Sequence, residues 1–267
     1  MKIIALECGG AVSSLVALET WGETANLVGE ALIEEPRALS RLLMERFDLI
    51  LRQAKWKIND LDGLSIGIGP GSWTSLRIGI STFKTLAQTL KIPLAGVPSF
   101  DALAGAVYGA QMDAALDKSA RKRKSKSVDF EPQVLLALSP CRPGELYGKI
   151  YEMSAHGLSA AQGEWIASAQ MHLDGAFCQG LASQIEPPLF LCGDAAPDAG
   201  ALLDARGETY GLANASPQDL ALEIALAGAA QIAAGEAENP LEVRPLYLAP
   251  SHAERYLAER NGGVYSS

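Results

Sequence analysis

Apolar and polar positions along the chain change period several times, and each change marks an element. "KIIALEC" (2–8) and "VSSLVALE" (12–19) are short aliphatic runs with a glycine-containing turn between them, and "ANLVGEAL" (25–32) follows closely. They predict two strands joined as a hairpin, with a third strand next. The period then lengthens. Leu39, Leu42, Leu43, Phe47, Ile50, Leu51 and Ala54 recur at three- and four-residue spacing, which predicts an amphipathic helix over roughly 38–55. "LDGLSIGI" (61–68) is a mostly apolar strand, "GPGS" (69–72) breaks it, and a second helix is predicted from about Thr74 to Leu90. "IPLAGV" (92–97) is a short strand, and Ser99 stands as an N-cap for the helix "FDALAGAV" (100–107).

The pattern then turns polar. "LDKSARKRKSKSVDFEP" carries Lys118, Arg121, Lys122, Arg123, Lys124 and Lys126, whose mutual repulsion predicts an exposed or disordered insertion over 117–130. A tRNA or RNA contact is the alternative reading of the same charges. Strands resume in "VLLALSPCRPGELYGKIYEM" (134–153), a strand–turn–strand that echoes the first hairpin, and in "PLFLCGD" (188–194). Ser216-Pro217-Gln218-Asp219 supplies a cap, a proline at the first helical position and an acid in the first turn, so a helix starts there and runs to Gly235. "VRPLYLAP" (243–250) is a late extended segment. The chain divides into a first lobe (1–116), the basic insertion (117–130), a second lobe with the C-terminal helix and a return strand (131–250), and a tail (251–267). Hairpins mixed with helices predict an α/β protein of two related lobes.

Composition narrows the classes. The 267 residues are 48% hydrophobic, enough for an ordinary core, and the net charge of −9 argues against a protein that coats nucleic acid. No run approaches the roughly 18 apolar residues of a membrane span, and the apolar start is too short for a signal peptide, so a cytoplasmic protein is expected. The four cysteines form no CxxC pair and read as reduced, buried thiols.

The glycine-rich stretch "SIGIGPGSWTSLRIG" (65–79) is the candidate for chemistry. It lacks the lysine of a Walker loop and the spacing of a dinucleotide fingerprint. A glycine turn opening a helix can hold an anion, which makes Gly69, Gly71, Ser72 and Thr74 candidate phosphate-loop residues. It can equally be only a tight corner, with Ser72 or Thr74 as the cap. Gly63-Leu64-Ser65-Ile66-Gly67 fits GxSxG, yet Ser65 falls inside a strand rather than at the strand-to-helix turn that a nucleophile elbow requires. His156, His172 and His252 stand far apart, and no histidine or carboxylate cluster has metal-ligand spacing, so no metal is expected.

"GIGPGSWTSLRIGISTFKTLAQTLKIPLAGVPSFDALA" closely resembles the signature of the TsaB (YeaZ) family, and "MKIIALE…SSLVALE", "CRPGELYGKIYE" and "VRPLYLAP" extend the resemblance more loosely over most of the chain. It leaves out the basic insertion and the tail. The resemblance implies an actin/hexokinase-like (ASKHA) two-lobed fold with duplicated strand-hairpin and helix units. It implies a non-catalytic scaffold in the N6-threonylcarbamoyladenosine (t6A) modification of adenosine 37 in tRNAs that read codons beginning with A. The scaffold pairs with the TsaD transferase, recruits the TsaE ATPase, meets tRNA indirectly and could form a homodimer when alone.

The HxxxH metal pair of TsaD-type proteins aligns with Ser99 and Leu103 here, neither of which can replace an imidazole. The carboxylates that active members of the wider fold place at the end of the first strand of each lobe fall on Glu7 and Ser139, and the usual phosphate-hairpin hydroxyls are missing although Ser13 and Ser14 lie nearby. No intrinsic cofactor is therefore expected, ATP or ADP being left to the partner complex. Leu39, Leu42, Leu43, Phe47, Ile50, Leu76, Gly79, Ile80 and Phe83 become partner contacts on the resemblance; on composition alone they read as core. A metallopeptidase-like or kinase-like enzyme of the same wider fold is the alternative.

Overall fold

The computed structural model describes residues 1–22, 24–35, 37–122, 130–142, 145–160, 170–172, 188–205, 207–237 and 239–248. The predicted first hairpin is β1 (Lys2–Glu7) and β2 (Ser13–Trp21), followed by β3 (Thr24–Ile33). Then come α1 (Leu39–Ala54), β4 (Gly63–Gly67), α2 (Trp73–Leu90), β5 (Leu94–Val97) and α3 (Ser99–Lys122). The second half holds β6 (Gln133–Arg142), β7 (Glu145–Ser154), β8 (Gly157–Ala160), β9 (Gln170–His172), β10 (Leu189–Cys192), α4 (Ala196–Asp204), β11 (Gly211–Leu212) and α5 (Pro217–Ala234).

The echo between the halves is a real duplication of topology. The first sheet has the order β3-β2-β1-β4-β5; the second has β8-β7-β6-β10-β11, with β9 also pairing β7. In each, an antiparallel hairpin is followed by a strand that pairs parallel to the hairpin's first strand: Ile3 opposite Gly63 in one, Val134 opposite Leu189 in the other. The architecture is α/β with two sheets, as the hairpin pattern required.

Alternation along β1 decides what covers each face of the first sheet. Ile4, Leu6 and Cys8 point to one side, where α1 and α2 pack with Phe47 against Phe83, ring centroids 6.1 Å apart and edge to face. Ala5, with Val16, Leu18 and Val97, points to the other side, where Ala221, Ile224 and Ala225 of α5 close the core. The sequence division at 117–130 had placed α5 with the second lobe. Its small-residue face instead fits the first sheet, because a Cβ on Gly228 would collide with Ser65. Conversely α3 packs Phe100, Leu103, Ala104 and Val107 against Leu135, Ala137 and Tyr151 of the second sheet. The two halves thus exchange their last helices and hold each other together.

Three local expectations change. Helix α3 runs on to Lys122, so the basic stretch begins inside a helix; residues 123–129 lie outside the described residues. "VRPLYL" (243–248) joins no sheet ladder. It forms a strap, with Val243 buried against the first core and the Leu246 N–H donating to the Ile68 carbonyl at 2.7 Å. Ser99 does not cap α3, since its hydroxyl is engaged elsewhere. The start of α5 follows expectation: Ser216 and Asp219 form a capping box with Pro217 at the first position. Cys8 and Cys192 are buried free thiols, Cys141 is half-buried, and Cys178 and the tail 251–267 lie outside the described residues.

Candidate functional site

Two concave features meet at the β1–β2 turn. The first is a cleft of about 220 Å³ between the halves, bordered by Glu7, the turn residues Gly9 to Val12, Ser99, Leu103, Asp194 and Asn214. Glu7 ends β1 and points to the α5 side of the sheet. Its carboxylate accepts from the Gly9 N–H through Oε1 and from the Ser99 hydroxyl at 2.8 Å through Oε2. Ser99 in turn accepts from the Gly69 N–H at 3.1 Å. One carboxylate therefore ties together the end of β1, the glycine corner and the start of α3. Burial pushes the Glu7 carboxyl above its ordinary value. The hydrogen bonds from Gly9, Ser99 and the Cys8 backbone oppose that, and nearby Asp194 adds to it.

Asp194, at the end of β10, reaches across the cleft and accepts from the Ala11 N–H at 3.1 Å. In a phosphate-binding hairpin the turn amides would face the anion. Here the amides of Gly9 and Ala11 already serve two carboxylates, and among the described residues no Lys, Arg or His lines the cleft. Carboxylates thus stand at both ends of this space, Glu7 at one and Asp194 at the other. Ser139 also borders the cleft. Ser13 and Ser14 are buried, and among the described residues the Ser14 hydroxyl has no hydrogen-bond partner.

The second feature is a groove of about 1360 Å³ beside the same turn, lined by the start of α2, Arg37, Leu246 to Leu248 and, from the second half, Ser139 to Cys141 and Asp194. The glycine corner forms its floor. Gly69 has a φ of 97°, a conformation open to glycine, and its carbonyl accepts from the Ser99 N–H at 2.8 Å. A Cβ on Gly71 would run into the Gly9 backbone, and the Ser72 N–H donates to the Gly9 carbonyl at 2.7 Å. The stretch is pinned to the β1–β2 turn. Ser72 stands at the N-cap position without capping: its hydroxyl donates to the Ser75 hydroxyl at 3.0 Å, and Thr74 is exposed on the first turn.

The residues expected at a partner interface are core, with only Leu39 and Leu76 of them bordering the groove. Leu39, Leu42, Leu43, Phe47, Ile50, Leu76, Gly79, Ile80 and Phe83 are all buried between α1, α2 and the first sheet. Three- and four-residue spacing along one apolar face is what a core needs as much as what an interface needs, and the sheet takes that face here. Exposed positions include Arg41, Met44, Glu45, Asp48 and Arg52 on α1 and Trp73, Arg77, Ser81, Thr85 and Gln88 on α2.

Ser65 of the GxSxG match is fully buried in β4, and its hydroxyl donates to the Ile224 carbonyl at 2.7 Å. It is a structural tie between β4 and α5. Leu103, at one position of the missing metal pair, is core. Among the described residues no group of three or more His, Cys, Asp or Glu side chains could hold a metal ion, and no helix is long and apolar enough to cross a membrane.

The sequence pattern of the tRNA N6-adenosine threonylcarbamoyltransferase (TsaD) family matches residues 34–133, the stretch from α1 to the start of β6. Over 45 residues the chain is 47% identical to the tRNA threonylcarbamoyladenosine biosynthesis protein TsaB of Bacillus subtilis, which is 17% of this chain and 20% of that protein. The YeaZ structure from Pseudomonas aeruginosa superposes with a TM-score of 0.60 at 18% identity, covering 92% of this chain and 99% of that one. The chain is thus similar to TsaB over a short stretch of sequence and to YeaZ in fold. A further relative, an uncharacterised protein of Mycobacterium tuberculosis, is 33% identical over 98 residues, 37% of this chain and 45% of that protein. The chain thus spans under half the length of that curated relative, and the family-model match lies in its first half. Beyond residue 133 the likeness to YeaZ is one of fold.

The Glu7–Ser99 and Asp194–Ala11 contacts were not legible in the sequence, because each joins positions far apart in it. The contact between the Trp73 and Tyr247 rings, centroids 4.4 Å apart, was not legible either, for the same reason.

Proposed function

We propose that this TsaB-like chain is a non-catalytic scaffold subunit for t6A formation at adenosine 37 of tRNAs reading codons that begin with A. In this reading it pairs with a TsaD-type transferase, recruits a TsaE-type ATPase and meets tRNA only through them. The observation that carries the reading is the state of the cleft. The positions that would hold a metal pair are Ser99, whose hydroxyl is engaged by Glu7, and Leu103, which is core. Imidazole chemistry has no footing at either. The acid-lined cleft with its occupied turn amides likewise favours a chain without intrinsic nucleotide, so that ATP or ADP belongs to the partners.

The test is reconstitution. The chain, a TsaD-type and a TsaE-type protein from the same organism are combined with tRNA and the threonylcarbamoyl donor, and each is omitted in turn. The scaffold reading expects t6A only with the chain present, and no peptide hydrolysis or phosphoryl transfer by the chain alone. Undiminished t6A without it, in the tube and after clean gene deletion, would remove the reading. Robust dose-dependent hydrolysis by the isolated chain would favour the enzyme alternative.

A further inference from the structure

The strap ends inside the large groove. Leu246, Tyr247 and Leu248 all line it, and Leu248 is the last described residue before residues 249–267. The lining there is apolar. The Trp73 and Tyr247 rings lie with centroids 4.4 Å apart, beside Leu76 and Ile78, and stay 43% and 49% exposed. The strap is fastened by the buried Val243 and by the Leu246–Ile68 hydrogen bond. The segment after Leu248 therefore starts from a fixed point within the groove.

The sequence that follows is patterned to fill such a space. In "APSHAERYLAERNGG" (249–263), Ser251 and Glu254 have the spacing of a capping box and Asn261-Gly262 is a stop signal, so a helix is predicted over 252–260. Ala253, Tyr256, Leu257 and Arg260 recur at three- and four-residue spacing and share one face of it, while Glu254, Arg255 and Glu259 fall outside that face. The face is apolar with one cation at its end. Among the described residues the groove is apolar with Asp194 as its one carboxylate and Arg37 as its one cation. Three residue steps from Leu248 to Ser251 reach about 10 Å, and the helix adds about 13 Å. So short a tether sets an effective concentration in the millimolar range, and an intrinsic affinity of only about 0.1 mM would then keep the segment seated about nine-tenths of the time. A separate molecule has no such advantage.

We infer that residues 251–260 fold back into the groove as a short amphipathic helix, seating Tyr256 and Leu257 against Trp73 and Tyr247 and pairing Arg260 with Asp194. The chain thereby covers its own exposed aromatic pair. A helix of nine residues is marginal in water by itself, so this segment is ordered only while the groove holds it. Any other ligand of the groove has to displace the tail. The inference is independent of the scaffold reading.

The test is amide hydrogen exchange of the full chain, read by mass spectrometry over residues 252–260. Seating for nine-tenths of the time predicts exchange about tenfold slower than in the Leu257→Ser chain. Trp73→Ala, on the groove side, should release the same amides, and Arg260→Glu should release them in part. Trp21→Ala, at an exposed tryptophan on β2, should leave them unchanged. The Leu246 N–H, held by the Ile68 carbonyl, is the internal standard for an intact body. The two tail substitutions lie outside that body and decide the matter if Trp73→Ala does not fold. Unprotected amides in the unsubstituted chain would overturn the inference, as would protection that survives both Leu257→Ser and Trp73→Ala. Protection lost on dilution would assign the groove to the tail of a second copy. Groove amides that slow only when a TsaD-type transferase is added would assign it to that partner. Either of these results makes the inference wrong.

Discussion

The Ser99 hydroxyl donates to Glu7 Oε2 at 2.8 Å, although the two residues lie 92 positions apart. The bond joins the end of β1 to the first residue of α3, and α3 is the helix that the first half lends to the second sheet. It closes the cleft from within and leaves both side chains engaged. Ser99→Ala removes a donor from a buried carboxylate and an acceptor from the Gly69 N–H. We expect a loss of about 1–3 kcal/mol, read as an earlier urea midpoint with an unchanged slope.

Glu7 also predicts a pH dependence. Its carboxyl is raised above the ordinary 4.5, chiefly by burial. A raised acid binds more protons folded than unfolded between those two values, so stability falls as pH rises from the unfolded value through the folded one. Above the folded value the loss is complete. Urea melts of the wild type across pH 4.5 to 8 should show this decline against the Glu7→Gln variant, whose curve is flatter and which keeps an acceptor for the Gly9 N–H. Parallel curves would refute it.

The buried face of α1 gives a third expectation. Phe47→Ala should cost about 3–5 kcal/mol, because the ring is fully enclosed and packs edge-on against Phe83. Leu43→Glu should prevent folding outright. Met44→Glu, on the outward side, should change stability by no more than about 0.5 kcal/mol. Binding measurements that used Leu43 or Phe47 variants would report unfolding; Met44 separates the two effects.

Ser65 is expected to be inert as a nucleophile. A fluorophosphonate probe should leave the folded chain unlabelled, and Ser65→Ala should cost about 1 kcal/mol through the lost bond to the Ile224 carbonyl. Gly228→Ala should be worse, since its Cβ would overlap Ser65 and push α5 off the first sheet.

Much of this was legible locally. Spacing of the leucines from Leu39 to Leu51 placed α1 within a residue at each end, and Ser216-Pro217-Gln218-Asp219 placed the start of α5. Period and caps act through neighbours in the chain, so a one-dimensional pattern carries them. The same pattern could not say which way the apolar face of α1 pointed. Core and interface ask for the same residues, and the partner interface assigned to Leu43 and Phe47 turned out to be core.

The sequence by itself determined the hairpins, the helices, the glycine corner and the likeness to a TsaB signature, because each is a property of contiguous residues. Tertiary structure decided the rest. It exchanged α3 and α5 between the halves, since only the small-residue face of α5 fits against Ser65 and Ala5. It turned Glu7 and Asp194 toward the amides of the β1–β2 turn, and it stacked Tyr247 on Trp73. Those choices depend on which surfaces meet after the chain has folded back on itself, and that is set by packing between distant segments rather than by any local run of residues.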